Sequence, residues 1–336
     1  MLTFPPATHS MSPFKKFRHF LEASLCRLLA WWIPHLTRRS CLHLANGLGT
    51  VAFMLDRRGR AVALANVECA LGPSLTDGQR REIIHDSYRN FARTMVDLFW
   101  SPALARPENR HFLRVYGWEA LNERAAREKR GVIYVSMHAA NWEWSSLACS
   151  FGGPGAIAVA EHFKNPGLEA IFKSLREVTG QVIIPQENSM LRMLRTVKRG
   201  GRTAFLCDLS VPPSQAATIV RAFGLEMSAS ILHAVLAQRA DAIIACVDTY
   251  PQNDGSCEAR LSVLECPPAA TLREIAQACW DHFEPRLRRE PGLWLWPYKH
   301  FRYKPHAATT PYPFYSNEWD AFDKLRAASF APSEHV

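Results

Sequence analysis

The sequence predicts an α/β protein, a mixed sheet flanked by helices, preceded by a helical part that docks on a membrane. Three observations carry this. From Gly131 onward, short β-branched runs alternate with helical segments, the pattern of a sheet covered by helices. Over the first hundred or so residues the periodicity is helical. Of the 336 residues 48% are hydrophobic, enough to bury the core of one large domain or two small ones.

The first helical segment runs from Phe14 to Pro34. Phe14, Phe17, Leu21, Leu25, Leu28 and Trp32 recur at helical spacing, and Lys15, Lys16 and Arg18 at the same end suit anionic headgroups. Charges at these positions and at Glu22 and Arg27 do not fit a membrane span, which needs roughly 18 to 20 uninterrupted apolar residues. An interfacial helix is expected, although the same amphipathy serves a helix that docks on its own domain. No small-residue cleavage site follows, which argues against a signal peptide.

Further helices are expected over Arg38–Leu55 and Asp77–Trp100, the latter with an apolar face of Ile83, Ile84, Tyr88, Phe91, Met95 and Leu98. The strands expected next are Val132–Met137, Ala156–Ala160 and Val182–Ile184, each followed by a helix. Asn165 and Pro166 supply a cap and a first-turn proline for a helix to Thr179, which Gly180 ends. Strands over Thr203–Asp208, Ile219–Phe223, Ala242–Tyr250 and Arg260–Cys266 precede a last helix over Thr271–Arg289. A Pro-rich tail after Pro305 is expected to wrap the surface. With no repeat and no linker, the chain reads as one integrated unit: a membrane-associating part over 1–110, an α/β core over 111–305 and a tail over 306–336.

Forty Lys and Arg against thirty-one Asp and Glu leave a charge of +9, which favours an anionic partner. No zinc-finger spacing, basic zipper or aromatic RNA-recognition signature accompanies it, so a lipid surface is expected and nucleic acid is not. The nine cysteines are odd in number and form no CxxC pair. They read as reduced, buried thiols on the cytoplasmic side, without a disulfide framework or zinc site. Asn46-Gly-Leu-Gly-Thr50 lacks the third glycine and follows no strand, so it is not a dinucleotide fingerprint. Neither a G-x-S-x-G elbow nor an H-E-x-x-H pair is present.

The segment with chemistry is Gly131-Val-Ile-Tyr-Val-Ser-Met-His-Ala-Ala-Asn-Trp-Glu-Trp144. His138 falls at the carboxyl end of a strand, where open α/β sheets bind ligands, and Asn141 is a good N-cap for the helix that follows. Glu143, on the first turn of that helix, is expected to fold back and orient the imidazole. His138 alone among the thirteen histidines has an acid five residues on. Such a pair suits base catalysis on an alcohol without a protein nucleophile. Trp142 and Trp144 read as packing residues, one of them a candidate to line a groove, and Trp294 and Trp296 as core.

His138-Ala-Ala-Asn-Trp-Glu143 resembles the H-x-G-N-W-E form of the HX4D/E motif of the bacterial lipid A late acyltransferases (the lauroyl/myristoyl transferases), within the lysophospholipid acyltransferase superfamily. The resemblance extends to Asp56-Arg-Arg-Gly-Arg60 with Asn66, Tyr88-Arg-Asn-Phe-Ala-Arg93, Lys164-Asn-Pro166, Lys198-Arg-Gly-Gly201 leading to Asp208, Arg221-Ala-Phe-Gly224 and Trp294-Leu-Trp296, roughly residues 20 to 305. It implies a glycerol-3-phosphate acyltransferase-like core that works at the cytoplasmic face of the inner membrane. The implied reaction moves a fatty acyl chain from an acyl carrier protein or coenzyme A thioester to a hydroxyl of a glycolipid or phospholipid acceptor, with no cofactor and no metal. His138 would take the hydroxyl proton, Glu143 would hold it, and donors near Asn141 would stabilise the oxyanion. Lys164 and Arg199 are candidates to bind acceptor phosphates or the donor's phosphopantetheine, and Asp208, at its strand end, is a candidate for a site role or for the cap of the next turn.

Two positions depart from the pattern: Ala140 stands where the family usually has Gly, and Glu161-His162 where an Arg usually precedes the K-N-P element. The second reverses a charge and keeps two alternatives open: a same-fold enzyme with another lipid acceptor, or a non-catalytic lipid-binding relative.

Overall fold

The computed structural model describes residues 12–330 except 152, 154, 161, 162, 186–188 and 215. Glu161 and His162, on which one departure from the family pattern turns, lie outside the described residues.

The chain begins with α1 (Pro13–Trp32), α2 (Arg38–Leu55), α3 (Arg57–Leu71) and α4 (Asp77–Leu104). Each start is capped by a side-chain oxygen: Ser12, Thr37, Asp56 and Thr76, the last with Gln79 in a capping box. α4 runs past the expected end at Trp100 to Leu104, with Pro102 in its final turn. There follow β1 (Leu113–Tyr116), α5 (Trp118–Glu128), β2 (Val132–Ser136), α6 (Trp142–Ala148), β3 (Ala156–Val159), α7 (Pro166–Arg176), β4 (Val182–Ile184), α8 (Ser189–Lys198) and β5 (Arg202–Leu206). The remainder is β6 (Ala217–Ala222), β7 (Leu225–Ser230), α9 (Leu232–Ala240), β8 (Ile243–Pro251), β9 (Cys257–Val263), α10 (Leu272–Arg289), β10 (Tyr303–Lys304), β11 (Asn317–Glu318) and α11 (Asp320–Phe330).

Seven strands form one sheet in the order β1-β9-β8-β2-β5-β3-β4. β8 and β9 pair antiparallel and every other pair is parallel, so the sheet is mixed as expected. α3, β1, α5, β7, α9, β10, β11 and α11 were not foreseen. β1 is only four residues long, β7 has no β-branched residue, and α3 is Arg- and Ala-rich with a weak apolar stripe. β6 and β7 pair as a separate hairpin that turns at Gly224, φ +82°. The tail after Pro305 ends in α11, whose Phe322 is fully buried and whose Ser329 hydroxyl accepts from Ile219 N of β6 at 3.0 Å.

Both faces of the central strand are covered, which explains its unbroken apolar run. Val132 and Tyr134 pack with Leu98, Trp100, Trp144 and Leu147 on one face. Ile133, Val135 and Met137 pack with Val197, Trp280, Trp294 and Trp296 on the other. Although β3 follows β2 in the chain, β5 lies between them, in parallel register with Ser136 opposite Leu206. That register brings the two residues after Ser136 beside the two after Leu206, at the carboxyl edge of the sheet.

Candidate functional site

At that edge His138 meets Asp208. Met137 and Cys207 continue the strands, and Cys207 N donates to Ser136 O at 3.0 Å. The Asp208 carboxylate then accepts twice from His138, from Nδ1 at 2.8 Å and from the backbone N at 2.9 Å. It also accepts from Trp294 Nε1 at 2.8 Å. Burial alone would push this fully buried carboxyl up, but His138, through its charge when protonated and through its hydrogen bond, together with the Trp294 N–H brings it below its ordinary value. An ionised Asp208 requires the proton on His138 Nδ1, which leaves Nε2 with the lone pair.

Trp294 is held for this role from behind. Ser87 of α4 donates to Trp294 O at 2.5 Å, and Asn66 of α3 donates to Trp296 O and Tyr298 O, each at 2.8 Å. His300 stacks on Trp294 with ring centroids 3.8 Å apart, and burial lowers it to about 4 from 6.5, so the ring is neutral.

Glu143 does not orient His138. Its two oxygens accept from Arg176 at the end of α7, from Nε at 2.9 Å and from Nη2 at 2.6 Å, a bidentate pair with Glu143 nearly buried. Burial opposes the charge of Arg176, but the Glu143 carboxylate outweighs it and raises the guanidinium overall. The correction has a geometric reason: the first turn of α6 directs Glu143 toward α7, whereas the neighbouring strand supplies the acid for His138.

Asn141 is the expected cap of α6, and its side chain is buried and engaged within the protein. It is 1% exposed; its Oδ1 accepts from Trp144 N at 3.1 Å and its Nδ2 donates to Asp97 at 2.7 Å. Asp97 in turn accepts from Arg38 of α2 at 2.7 Å, and Arg38 lies over Trp100 and Trp144. Ala140 adopts φ +50°, the left-handed region that favours glycine. Its carbonyl accepts from Asn90 at 2.9 Å and Thr94 at 2.8 Å, both on α4.

His138, Glu143 and Arg176 border one cavity of about 500 Å³. Trp142 lies beside His138, ring centroids 5.6 Å apart, and lines the cavity, while Trp144 is packing. Tyr134, Ala158 and Ala204, neighbours across β2, β5 and β3, carry the cavity inward under α6 between the sheet and that helix. Its lining combines the polar side chains of Ser136, His138, Glu143, Ser145, Ser146 and Arg176 with apolar ones such as Phe163, Ile183 and Phe205. Lys164 and Arg199 are exposed and line no part of it. Arg176 carried no signal in the sequence, because a basic residue in a last helical turn is ordinary.

Residues 11–303 match the sequence profile of a family described as bacterial lipid A biosynthesis acyltransferase. No curated protein matches the chain.

Proposed function

The chain belongs to the bacterial lipid A biosynthesis acyltransferase family and is an acyltransferase for lipid A-type acceptors; from that premise we propose that it carries an acyl group from a thioester to an acceptor hydroxyl with His138 as general base. The observation that carries the reading is the His138–Asp208 pair, whose imidazole borders a cavity also lined by apolar side chains such as Phe163, Ile183 and Phe205.

The acceptor hydroxyl gives its proton to His138 Nε2 while its oxygen attacks the thioester carbonyl. Asp208 stabilises the imidazolium that results. The tetrahedral intermediate collapses with cleavage of the C–S bond, and the departing thiolate takes the proton back from His138, so that the products are an ester and a free thiol. Glu143 serves this step through Arg176, which it holds at the cavity and whose Nη1 makes no hydrogen bond among the described residues. Arg176 faces the charge that develops on the carbonyl oxygen, and the acyl chain lies along the apolar part of the cavity. The separation of Glu143 from His138, which alone would suit a non-catalytic lipid-binding relative, is offset by Asp208.

The membrane side is α1 and α2. Phe14 (76% exposed), Phe20 (62%), Trp31 (66%), Met54 (65%) and Leu55 (76%) face outward on them, and Lys15, Lys16 and Arg18 flank the first turns. Among the described residues no helix is long and apolar enough to cross a membrane. Peripheral docking at the cytoplasmic face of the inner membrane agrees with these features.

The test is transfer of radiolabelled acyl chains from carrier-protein and coenzyme A thioesters into bacterial lipid extract. A labelled lipid formed by the wild type and absent with His138→Ala supports the reading; undiminished product with His138→Ala overturns it.

A further inference from the structure

Across the sheet from α1, α8 carries a row of cations. Arg192 and Arg195, with Arg199 just past the helix end, follow one another at helical spacing with Lys198 beside them; all four are exposed, and none of the four side chains has a hydrogen-bond or ion-pair partner among the described residues. The segment from Ser189 to Arg199 contains no acid. The three arginines line an open groove of about 640 Å³ with Leu191, Thr196 and Ser189.

Three features select the occupant. The row extends over two helical turns, roughly 10 Å, and complements an extended acidic surface better than a single phosphate, which needs converging donors. The large exposed apolar residues of α1 and α2 have few counterparts on α8, where Leu191 stands alone. α8 also packs through Met193 and Val197 on one face of the sheet, whereas α1 packs against α7, whose Ile171 and Leu175 belong to the other. A bilayer under α1 therefore leaves α8 in water.

The groove is also adjacent to the candidate site. Ile183 of β4 lines the catalytic cavity and the next residue, Ile184, lines the α8 groove, so the edge strand is their shared wall. We propose that the α8 face docks an acidic protein that carries the acyl thioester on a flexible arm, the arm passing the β4 edge to the cavity. This rests on the acyl-transfer reading above. Opposed charges would raise the encounter rate and make it sensitive to salt.

The experiment compares two donors, an acidic acyl carrier protein loaded with a dodecanoyl thioester and dodecanoyl coenzyme A, in wild type and in R192E/R195E, with R192Q/R195Q as a milder variant. For the carrier donor, KM should rise more than tenfold in the reversal variant and less in the neutral one, with kcat little changed, and should rise with salt in the wild type. Rates with coenzyme A should change less than twofold. Equal losses with both donors, or no change with the carrier, would overturn the proposal. Binding of the loaded carrier to His138→Ala protein, read by fluorescence anisotropy, is independent of turnover. Tenfold weaker binding on charge reversal supports the docking face even if transfer fails, and unchanged or absent binding overturns it.

Discussion

His138 and Asp208 are 70 residues apart in the chain and 2.8 Å apart at Nδ1 and Oδ1. Their meeting is a product of strand order: β5 inserts beside β2 in parallel register, and both strands end at the same edge. A buried carboxylate on Nδ1 fixes the tautomer that leaves Nε2 free to accept a proton. Asp208→Asn should therefore lower kcat by about 100- to 10,000-fold with a modest change in KM. Steady-state kinetics checks it, and a loss confined to KM would assign Asp208 to substrate binding instead.

Ala140 closes the turn between His138 and α6 at φ +50°. Glycine adopts this conformation at no steric cost, and a β-branched side chain is strained there. Ala140→Gly should retain activity with stability changed by no more than about 1 kcal/mol, whereas Ala140→Val should lose most activity. Equal activity in the two variants would mean that the turn does not constrain His138.

Burial holds His300 neutral down to about 4. The unfolded chain binds this proton more readily, so the contribution to stability is complete above an ordinary histidine value near 6.5 and is lost as pH falls toward 4, by about 3 kcal/mol. Urea unfolding at pH 7.5 and pH 5 should show about 2 kcal/mol of this loss in the wild type and less in His300→Gln. Parallel losses would place the titration elsewhere.

Asp97 is 1% exposed and ties Arg38 of α2 to the Asn141 cap of α6. Asp97→Ala leaves the buried guanidinium uncompensated and should destabilise the protein by roughly 3 to 5 kcal/mol. Denaturant titration measures this. A change below about 1 kcal/mol would mean that water replaces the carboxylate.

The sequence by itself determined the local elements and the base. Helix starts at Asn141, Asn165 and Thr271 were legible because capping is a contact over two or three residues. His138 was legible because an apolar run stops beside it, and the α/β alternation gave the layers. Only the tertiary structure decided which acid serves the imidazole. Spacing placed Glu143 near His138 along the chain but could not say which way the first turn of α6 points, and it points to Arg176. The role of Asp208 and the hold of Trp294 upon it depend on strand order and on a loop packed against α3 and α4. Such long-range pairings arise from how whole faces bury against one another, which no window of the sequence contains.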